Sequence, residues 1–144
     1  MKRIIVLTTV LIASFTAIHA QDADIVKGIW LNDGKDAKVE IYRSGDRYFG
    51  KITWTKEMYE SDGKTLKKDS KNSNENLRSR SVLNMIILSG FTYVDGEWTG
   101  GEIYDPKSGK TYKSKMKIKG SILEVRGYVG SPMFGKTTAW TRVS

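Results

Sequence analysis

Apolar and polar residues alternate with a period of two along much of the chain after residue 21. The clearest example is Thr111–Lys119, in which every second residue from position 113 onward is lysine. Because successive side chains of a strand point to opposite faces, this stretch predicts a strand with its lysines in water and Met116 and Ile118 in the core. No stretch after Gln21 keeps an apolar spacing of 3.6 residues over three turns, which argues against long helices.

Seven further segments show strand patterns, separated by clusters of Gly, Asp and Ser that favour tight turns. The eight predicted strands are Gly28–Leu31, Ala37–Arg43, Arg47–Trp54, Val82–Leu88, Glu97–Tyr104, Thr111–Lys119, Ile122–Val129 and Thr137–Val143. The clearest predicted turns are Ser44-Gly45-Asp46, Asp95-Gly96, Lys107-Ser108-Gly109 and Lys119-Gly120-Ser121. Eight strands joined mostly by short loops can close into a barrel, which leaves no exposed sheet edge. We therefore predict an all-β fold, a single antiparallel β-barrel of about eight strands, preceded by a short helical turn over Asp22–Val26.

One segment, Lys56–Arg80, is long and polar and interrupts this rhythm. A structureless connection of that length is unusual in a compact domain and is commonly a lid, a short helix or a mobile loop. The end of the segment, Asn76–Arg80, can form a helical turn. A solvated loop without a function is the alternative, and the sequence leaves both open. Its oxygen-bearing side chains lack the spacing of a calcium loop, so we predict no metal site; they are Asp69, Asn72, Asn74 and Glu75.

The first twenty residues have the pattern of a secretory signal peptide. Lys2 and Arg3 precede a mostly apolar run, Ile4–Ile18, which is too short to span a bilayer and is followed by the small residue Ala20. We predict removal of residues 1–20, a mature domain at 21–144 and a periplasmic or secreted location. A membrane anchor is the alternative. No cysteine stands at the cleavage site, which excludes a lipid-anchored lipoprotein.

The composition narrows the chemistry that the protein can perform. The chain has 144 residues, 24 Lys and Arg, 16 Asp and Glu, a net charge of +8, no cysteine and one histidine, His19. Since His19 lies in the predicted signal peptide, the exported chain has neither Cys nor His. This excludes disulfides, Cys/His zinc sites, thiolate nucleophiles and histidine-based catalysis. We therefore expect no enzyme and no cofactor. A hydrolase that uses only Asp, Glu, Lys or Tyr is the remaining enzymatic alternative.

Two short motifs resemble the lipocalin (calycin) barrels. Gly28-Ile29-Trp30 opens the first predicted strand, and Trp140-Thr141-Arg142 closes the last one. In the lipocalins a terminal-strand arginine packs across the tryptophan of such a Gly-x-Trp motif. A guanidinium over an indole face contributes about 1 kcal/mol and closes one end of the barrel. The resemblance therefore implies contact between Trp30 and Arg142.

A wider pattern of Gly, Trp and Tyr residues resembles a bacterial exported family known as domain of unknown function 2147, a member of the calycin group. The resemblance covers nearly all of residues 24–143. Its quoted segments are Trp98–Pro106, Gly109–Tyr112, Leu123–Gly130 and Phe134–Thr137. The structural positions that it implies are Gly28, Trp30, Trp98, Gly101, Asp105, Gly127, Trp140 and Arg142. It implies a lipocalin-like fold, an exported location and no established activity. The chain departs from the family pattern at Asn72-Ser73-Asn74, where the family has Asn-Pro-Asp, and at Asn84, where the family has Gly.

The most specific candidate for ligand binding is Arg126-Gly127-Tyr128. It resembles fatty-acid-binding barrels of the same broad group, in which an inward Arg and Tyr two residues apart hold a ligand carboxylate. A spacing of two places both side chains on one strand face, and a forked guanidinium suits a carboxylate. Leu123, Val125 and Val129, however, form a core-like face on the opposite side, so an outward Arg126 is the other arrangement. With the large aromatic residues added, the candidate ligand-binding residues are Trp54, Tyr104, Arg126, Tyr128 and Phe134.

Two functions follow from these features. The first is a monomeric barrel that binds a small apolar or amphipathic ligand, with a fatty acid as one example. The second is a packed barrel that acts through its basic surface, as an envelope interaction or stress module. An anionic envelope surface is a possible partner of the lysine row. Nucleic acid is not expected, because the lysines lack interleaved aromatic residues and the protein is predicted to be exported.

Overall fold

The computed structural model describes residues 22–144, so the predicted signal peptide at residues 1–20 lies outside the described residues. A helical turn at residues 22–24 precedes eight strands. The strands are β1 (Gly28–Leu31), β2 (Ala37–Ser44), β3 (Arg47–Thr55), β4 (Ile86–Val94), β5 (Glu97–Asp105), β6 (Lys110–Lys119), β7 (Ile122–Tyr128) and β8 (Gly135–Arg142). They pair antiparallel in chain order, and β8 pairs with β1, which closes the barrel. The predicted all-β barrel is confirmed.

Seven of the eight predicted strands agree with the structure to within two residues at either end. The prediction for the fourth strand, Val82–Leu88, is wrong, because β4 starts at Ile86 and continues to Val94. The strand starts late because residues 82–85 form a turn, in which Asn84 has a φ of 66° and the Met85 amide donates to the Val82 carbonyl at 3.2 Å. Gly90, which has a φ of 73°, interrupts the period-two pattern in the middle of β4, so the prediction missed the later half of the strand.

No helix among residues 22–144 is long and apolar enough to cross a membrane.

The predicted turns place residues that tolerate positive φ where the chain reverses. Asp95 and Gly96 have φ values of 50° and 85°, as the two central residues of a type I′ hairpin turn require. Gly100 has a φ of 69°, and the β5–β6 register shifts between Trp98 and Gly101, so the Gly100-Gly101 pair forms a bulge. These residues therefore let the chain reverse between consecutive antiparallel strands.

The N-terminal segment plugs the end of the barrel where β1 begins. The Trp30 indole Nε1 donates a hydrogen bond to the Val26 carbonyl at 2.9 Å. The Trp98 indole Nε1 donates to the Ala23 carbonyl at 3.1 Å. Both tryptophans are 1% exposed. Their apolar rings therefore fill the barrel end, while their N–H groups fix the plug in place.

Arg142 lies across Trp30, as the lipocalin resemblance implied. Its guanidinium carbon is 4.2 Å from the centre of the Trp30 ring. The guanidinium also donates hydrogen bonds to the Ile25 carbonyl at 2.5 Å and to the Lys27 carbonyl at 2.9 Å. Arg142 therefore ties the last strand, the first strand and the plug together.

Glycines in the middle of the barrel make room for large neighbours. A Cβ atom on Gly101 would lie 2.5 Å from the Phe91 ring, and one on Gly50 would lie 2.8 Å from Cδ1 of Leu88. The buried apolar side chains of the strands are Trp30, Val39, Ile41, Tyr48, Ile52, Ile87, Leu88, Phe91, Trp98, Met116, Leu123, Val125 and Trp140. The interior is therefore closely packed at this level. Met116 lies in the core as predicted, whereas Ser114 Oγ is buried without a hydrogen-bond partner among the described residues.

Candidate functional site

The long connection between β3 and β4 folds back onto the barrel. An isolated β-bridge between Lys68 and Ser81 closes its base. Between these two residues runs a segment, residues 69–80, which we call the strap. It contains a single 3-10 turn, Glu75–Leu77. The helical turn predicted at Asn76–Arg80 therefore exists, but it is shorter and begins one residue earlier.

The strap covers the outer face of β4 and β5. Leu88 is buried in the barrel, so its strand neighbours Ile87 and Ser89 point outward. Ser89 is paired with Glu102 across the ladder, so Glu102 shares this outer face. The outer wall of the barrel and the strap therefore face each other across a cleft.

A buried carboxylate, Asp69, fastens the strap to this wall. It is 0% exposed. Its Oδ1 accepts a hydrogen bond from the Tyr104 hydroxyl at 2.5 Å, and its Oδ2 accepts one from the side-chain amide Nδ2 of Asn72 at 2.8 Å. Oδ2 also lies 3.0 Å from Nη2 of Arg80, and Arg80 Nε donates to it at 3.0 Å. A buried charge with these partners is compensated on both oxygens, so the cluster holds the strap in one conformation.

Tyr104 acts in this cluster as a neutral hydrogen-bond donor. Burial, followed by its hydrogen bond to the Asp69 carboxylate, raises the pKa of Tyr104 to about 12. The Arg80 guanidinium carbon lies 5.6 Å from the centre of the Tyr104 ring. The hydroxyl therefore keeps its proton at neutral pH, and the ring stacks beside a cation.

The cleft between strap and barrel has a volume of about 260 Å³. Leu77 and Ile87 give it apolar surface, while the other side chains carry hydroxyl, amide or charged groups. Its lining residues are Asn72, Ser73, Leu77, Arg80, Ile87, Ser89, Glu102, Tyr104, Gly109 and Thr111. A second, shallower cleft, at residues 56–61 and 67, also lies outside the barrel. Both clefts therefore lie outside the barrel.

Of the five candidate ligand-binding residues, Tyr104 alone lines this cleft. Trp54 lies on the outer face of the barrel, because the β2–β3 register shifts at Lys38 and pairs Lys38 with Trp54. The ammonium group of Lys38 sits 5.2 Å from the centre of the Trp54 ring. The extra residue Thr53 has moved the tryptophan out of the alternation that the sequence suggested.

Arg126, Tyr128 and Phe134 lie around the connection between β7 and β8. Val125 is buried, so Arg126 takes the outward arrangement, where Nε donates to the Pro132 carbonyl at 2.7 Å and Nη1 donates to Thr137 Oγ1 at 2.8 Å. Phe134 is 71% exposed, and the prediction that Val129 lies on the core face is wrong, because β7 ends at Tyr128 and Val129 is 68% exposed. The structure therefore does not bring these residues together with Tyr104.

The acidic and amide residues of the strap serve its own geometry. Asn72 Oδ1 accepts a hydrogen bond from the backbone N–H of Asn74 at 2.8 Å, and Asn74 Oδ1 accepts one from the backbone N–H of Asn76 at 3.0 Å. Within residues 22–144 no group of three or more His, Cys, Asp and Glu side chains is placed to hold a metal ion.

Sequence reasoning missed Arg80, Ser89, Glu102 and Thr111 as cleft residues. The length of Lys56–Arg80 was the available signal, but it did not show where the segment lies. The polarity of Asp69 suggested solvent exposure, whereas the residue is buried.

Comparison with known proteins gives two matches. A family model described as "Uncharacterized protein conserved in bacteria (DUF2147)" matches residues 28–142. The structure of protein HP1028 from the human pathogen Helicobacter pylori, which is described as belonging to the lipocalin family, matches with a TM-score of 0.70. Its sequence identity is 26%, and the match covers 82% of each chain. No curated protein matches the chain.

Proposed function

The chain belongs to the DUF2147 family and has a lipocalin-like barrel, and from this premise we propose that it is an exported protein that binds a small amphipathic molecule. Export is supported by the charge and apolar pattern of residues 1–20. The lipocalin-like fold favours the binding of small ligands in general. The observation that carries the proposal is the cleft under the strap, which combines apolar, hydroxyl and charged side chains.

Packing favours the outer cleft over the barrel interior. The Phe91 ring fills the space above Gly101, and Leu88 fills the space above Gly50. A ligand in the middle of the barrel would have to displace such side chains, at a cost of kilocalories per mole. The cleft under the strap needs no such displacement.

The size and chemistry of the cleft indicate the class of ligand. A volume of about 260 Å³ lies just below the roughly 300–1,000 Å³ of sites for drug-sized ligands. Leu77 and Ile87 suit a short apolar chain. The Arg80 side chain is 38% exposed and offers a guanidinium to an acidic head group. We therefore propose a medium-chain carboxylic acid, for which decanoate is a suitable probe.

Displacement of a fluorescent dye by decanoate tests this proposal, with 8-anilinonaphthalene-1-sulfonate as the dye. Thr111→Trp should fill the cleft and weaken decanoate binding by about tenfold or more, because it removes the space for the chain. Thr141→Trp is the matched control on the outer face of β8, and it should leave binding unchanged. Glu102→Gln should strengthen binding severalfold, because it removes a like charge from the cleft.

The Glu102→Gln variant separates binding from stability, since a gain in affinity cannot come from misfolding. Equal affinity in Thr111→Trp and Thr141→Trp would show that decanoate binds elsewhere. Failure of decanoate, octanoate and the dye to bind the folded protein would overturn the proposed function.

A further inference from the structure

The positive charge of the protein is concentrated in its last three strands. Residues 106–144 contain nine Lys and Arg and a single acid, Glu124, whereas residues 1–105 contain 15 of each sign. Glu124 forms an ion pair with Lys119 at 3.4 Å, near the plugged end. The whole net charge therefore comes from β6, β7, β8 and their connections.

The outward side chains of β6 gather much of this positive charge on one face of the barrel. Lys113 pairs with Tyr128 and Lys115 pairs with Arg126 across the β6–β7 ladder. All four are outward positions, because the intervening Ser114 is buried. Glu102 of β5 lies beside Lys113 on the other ladder and is the one acid paired directly with these lysines. We call this surface the cationic wall.

An apolar tip projects from the end of the cationic wall. The tip is the β7–β8 connection, residues 129–134, in which Val129 is 68% exposed, Met133 is 79% exposed and Phe134 is 71% exposed. Single exposed apolar residues are ordinary, but three large ones within six residues form a patch. The exposed Val94 at the plugged end differs, because it is followed by the acidic Asp95.

The tip is held in shape by its neighbours. The Arg126 guanidinium donates to the Pro132 carbonyl at 2.7 Å and to the Met133 carbonyl at 3.4 Å. The Val129 amide donates to the Phe134 carbonyl at 3.3 Å. The apolar side chains are therefore presented by a fixed turn, so docking requires little further ordering of the backbone.

We propose that the apolar tip and the cationic wall form a docking surface for an anionic lipid bilayer. Met133 and Phe134 enter the interfacial region, while Lys113 and Lys115 meet anionic head groups. Apolar insertion beside a lysine cluster is the combination that gives stable peripheral binding. The plugged end fits an anionic surface less well, because the exposed Val94 there is followed by the acidic Asp95. The residues of this docking surface do not line the cleft. The docking proposal therefore does not depend on whether the cleft binds a ligand.

Vesicle flotation tests the docking surface. The protein is purified in the form in which it accumulates in cells, and mass spectrometry determines its N-terminus. Vesicles of phosphatidylglycerol and phosphatidylethanolamine should bind it, and vesicles of phosphatidylcholine should bind it far more weakly. The double substitution Met133→Ser with Phe134→Ser should weaken binding by about tenfold or more. Lys113→Glu with Lys115→Glu should also weaken it, by at least fivefold per lysine.

Val94→Ser is the matched control, since it removes an exposed apolar residue at the opposite end of the barrel. A second readout uses the absence of cysteine, which allows a single label to be placed. Met133→Cys carrying an environment-sensitive nitrobenzoxadiazole label should shift to the blue on vesicle binding. The same label at Val94→Cys should not shift.

Three results would overturn the docking surface. One is the absence of binding to anionic vesicles. Another is binding that the Met133 and Phe134 substitutions leave unchanged. The last is a dimer, seen by light scattering, that these substitutions break and that lipid does not compete with, because the tip would then be a contact between two copies of the chain.

Discussion

The backbone carbonyl of Lys71, in the strap, lies directly against Gly109, in the turn between β5 and β6, where the first atom of any side chain would have to sit. Gly109 also has a φ of 74°, which other residues adopt at a cost. Two requirements thus meet at one glycine. The turn needs its backbone conformation, and the strap needs its missing side chain.

Gly109→Ala should therefore destabilise the protein by about 2–4 kcal/mol, from backbone strain and from displacement of the strap. Gly120→Ala is a matched control, since Gly120 has a φ of 60° and no atom near the position of a Cβ. It should cost only about 1–2 kcal/mol, the strain alone. Urea unfolding measures both. Equal losses in the two variants would show that contact with Lys71 contributes nothing.

Asp69 should be the main fastener of the strap. Asp69→Asn keeps the size of the side chain but leaves Arg80 without its charged partner, so we expect a loss of about 2–3 kcal/mol in the free energy of unfolding. Tyr104→Phe, which removes the hydrogen bond to Oδ1 of this buried carboxylate, should cost about 1.5–2 kcal/mol. Glu57→Gln is the control, because the Glu57–Lys67 pair is exposed at its acid. It should change stability by less than about 0.5 kcal/mol.

The same variants can be followed by limited proteolysis. Asp69→Asn should speed cleavage within residues 69–80 before the barrel itself unfolds, because the strap opens locally. Unchanged cleavage with lower global stability would mean that Asp69 supports the barrel rather than the strap.

The packed interior predicts a rescue. Gly101→Ala should cost about 2–3 kcal/mol, because its Cβ would lie 2.5 Å from the Phe91 ring. Replacing the ring with a smaller side chain, Phe91→Leu, should also destabilise the protein on its own. The double variant should lose less stability than the sum of the two single losses, as a double-mutant cycle would measure. Strict additivity would mean that the two residues do not compete for one space.

Tyr48 gives the stability a dependence on alkaline pH. Burial, followed by its hydrogen bond to Asp24 at 2.6 Å, raises the pKa of Tyr48 to about 12. An unfolded tyrosine ionises near pH 10, so between about pH 10 and 12 the unfolded state loses the proton while the folded state keeps it. The free energy of unfolding therefore falls as the pH rises through this range, by about 1–2 kcal/mol for Tyr48.

Tyr104 contributes in the same direction, because its pKa is also raised to about 12. Tyr48→Phe and Tyr104→Phe should each flatten the dependence of urea stability on pH between about 10 and 12, and the double variant should flatten it most. A slope that neither substitution changes would exclude both phenols as its source.

Most of the barrel was predictable because strand alternation and turn chemistry are local properties of the sequence. Asp95-Gly96 gives a tight turn wherever it occurs between two strands. The contact between Trp30 and Arg142 was implied by the resemblance to the lipocalins, not by a local pattern. Local patterns fail where one residue is inserted. The register shift at Lys38 moved Trp54 to the outer face, and the irregularity at Gly90 hid the later half of β4.

The site was not predictable because it depends on contacts between distant segments. Asp69 stands in a polar run that is typical of a solvated loop, yet Tyr104, 35 residues away, meets it in a buried hydrogen bond. Arg126 was a candidate because its motif suits a ligand carboxylate. Its hydrogen-bond partners are instead Pro132, in the β7–β8 connection, and Thr137 of β8. Pairings of this kind are set by the path of the strap and the tip, which no local periodicity encodes.

The proposed function requires a packed barrel interior and a ligand site under the strap. Backbone amide chemical shifts, recorded by NMR during a decanoate titration, test it directly. We predict that the largest changes fall in residues 72–80 and at Ser89, Glu102 and Thr111, with little change at the inward Val39, Ile52 and Ser114. Large changes at those inward residues, with the strap unaffected, would contradict the account.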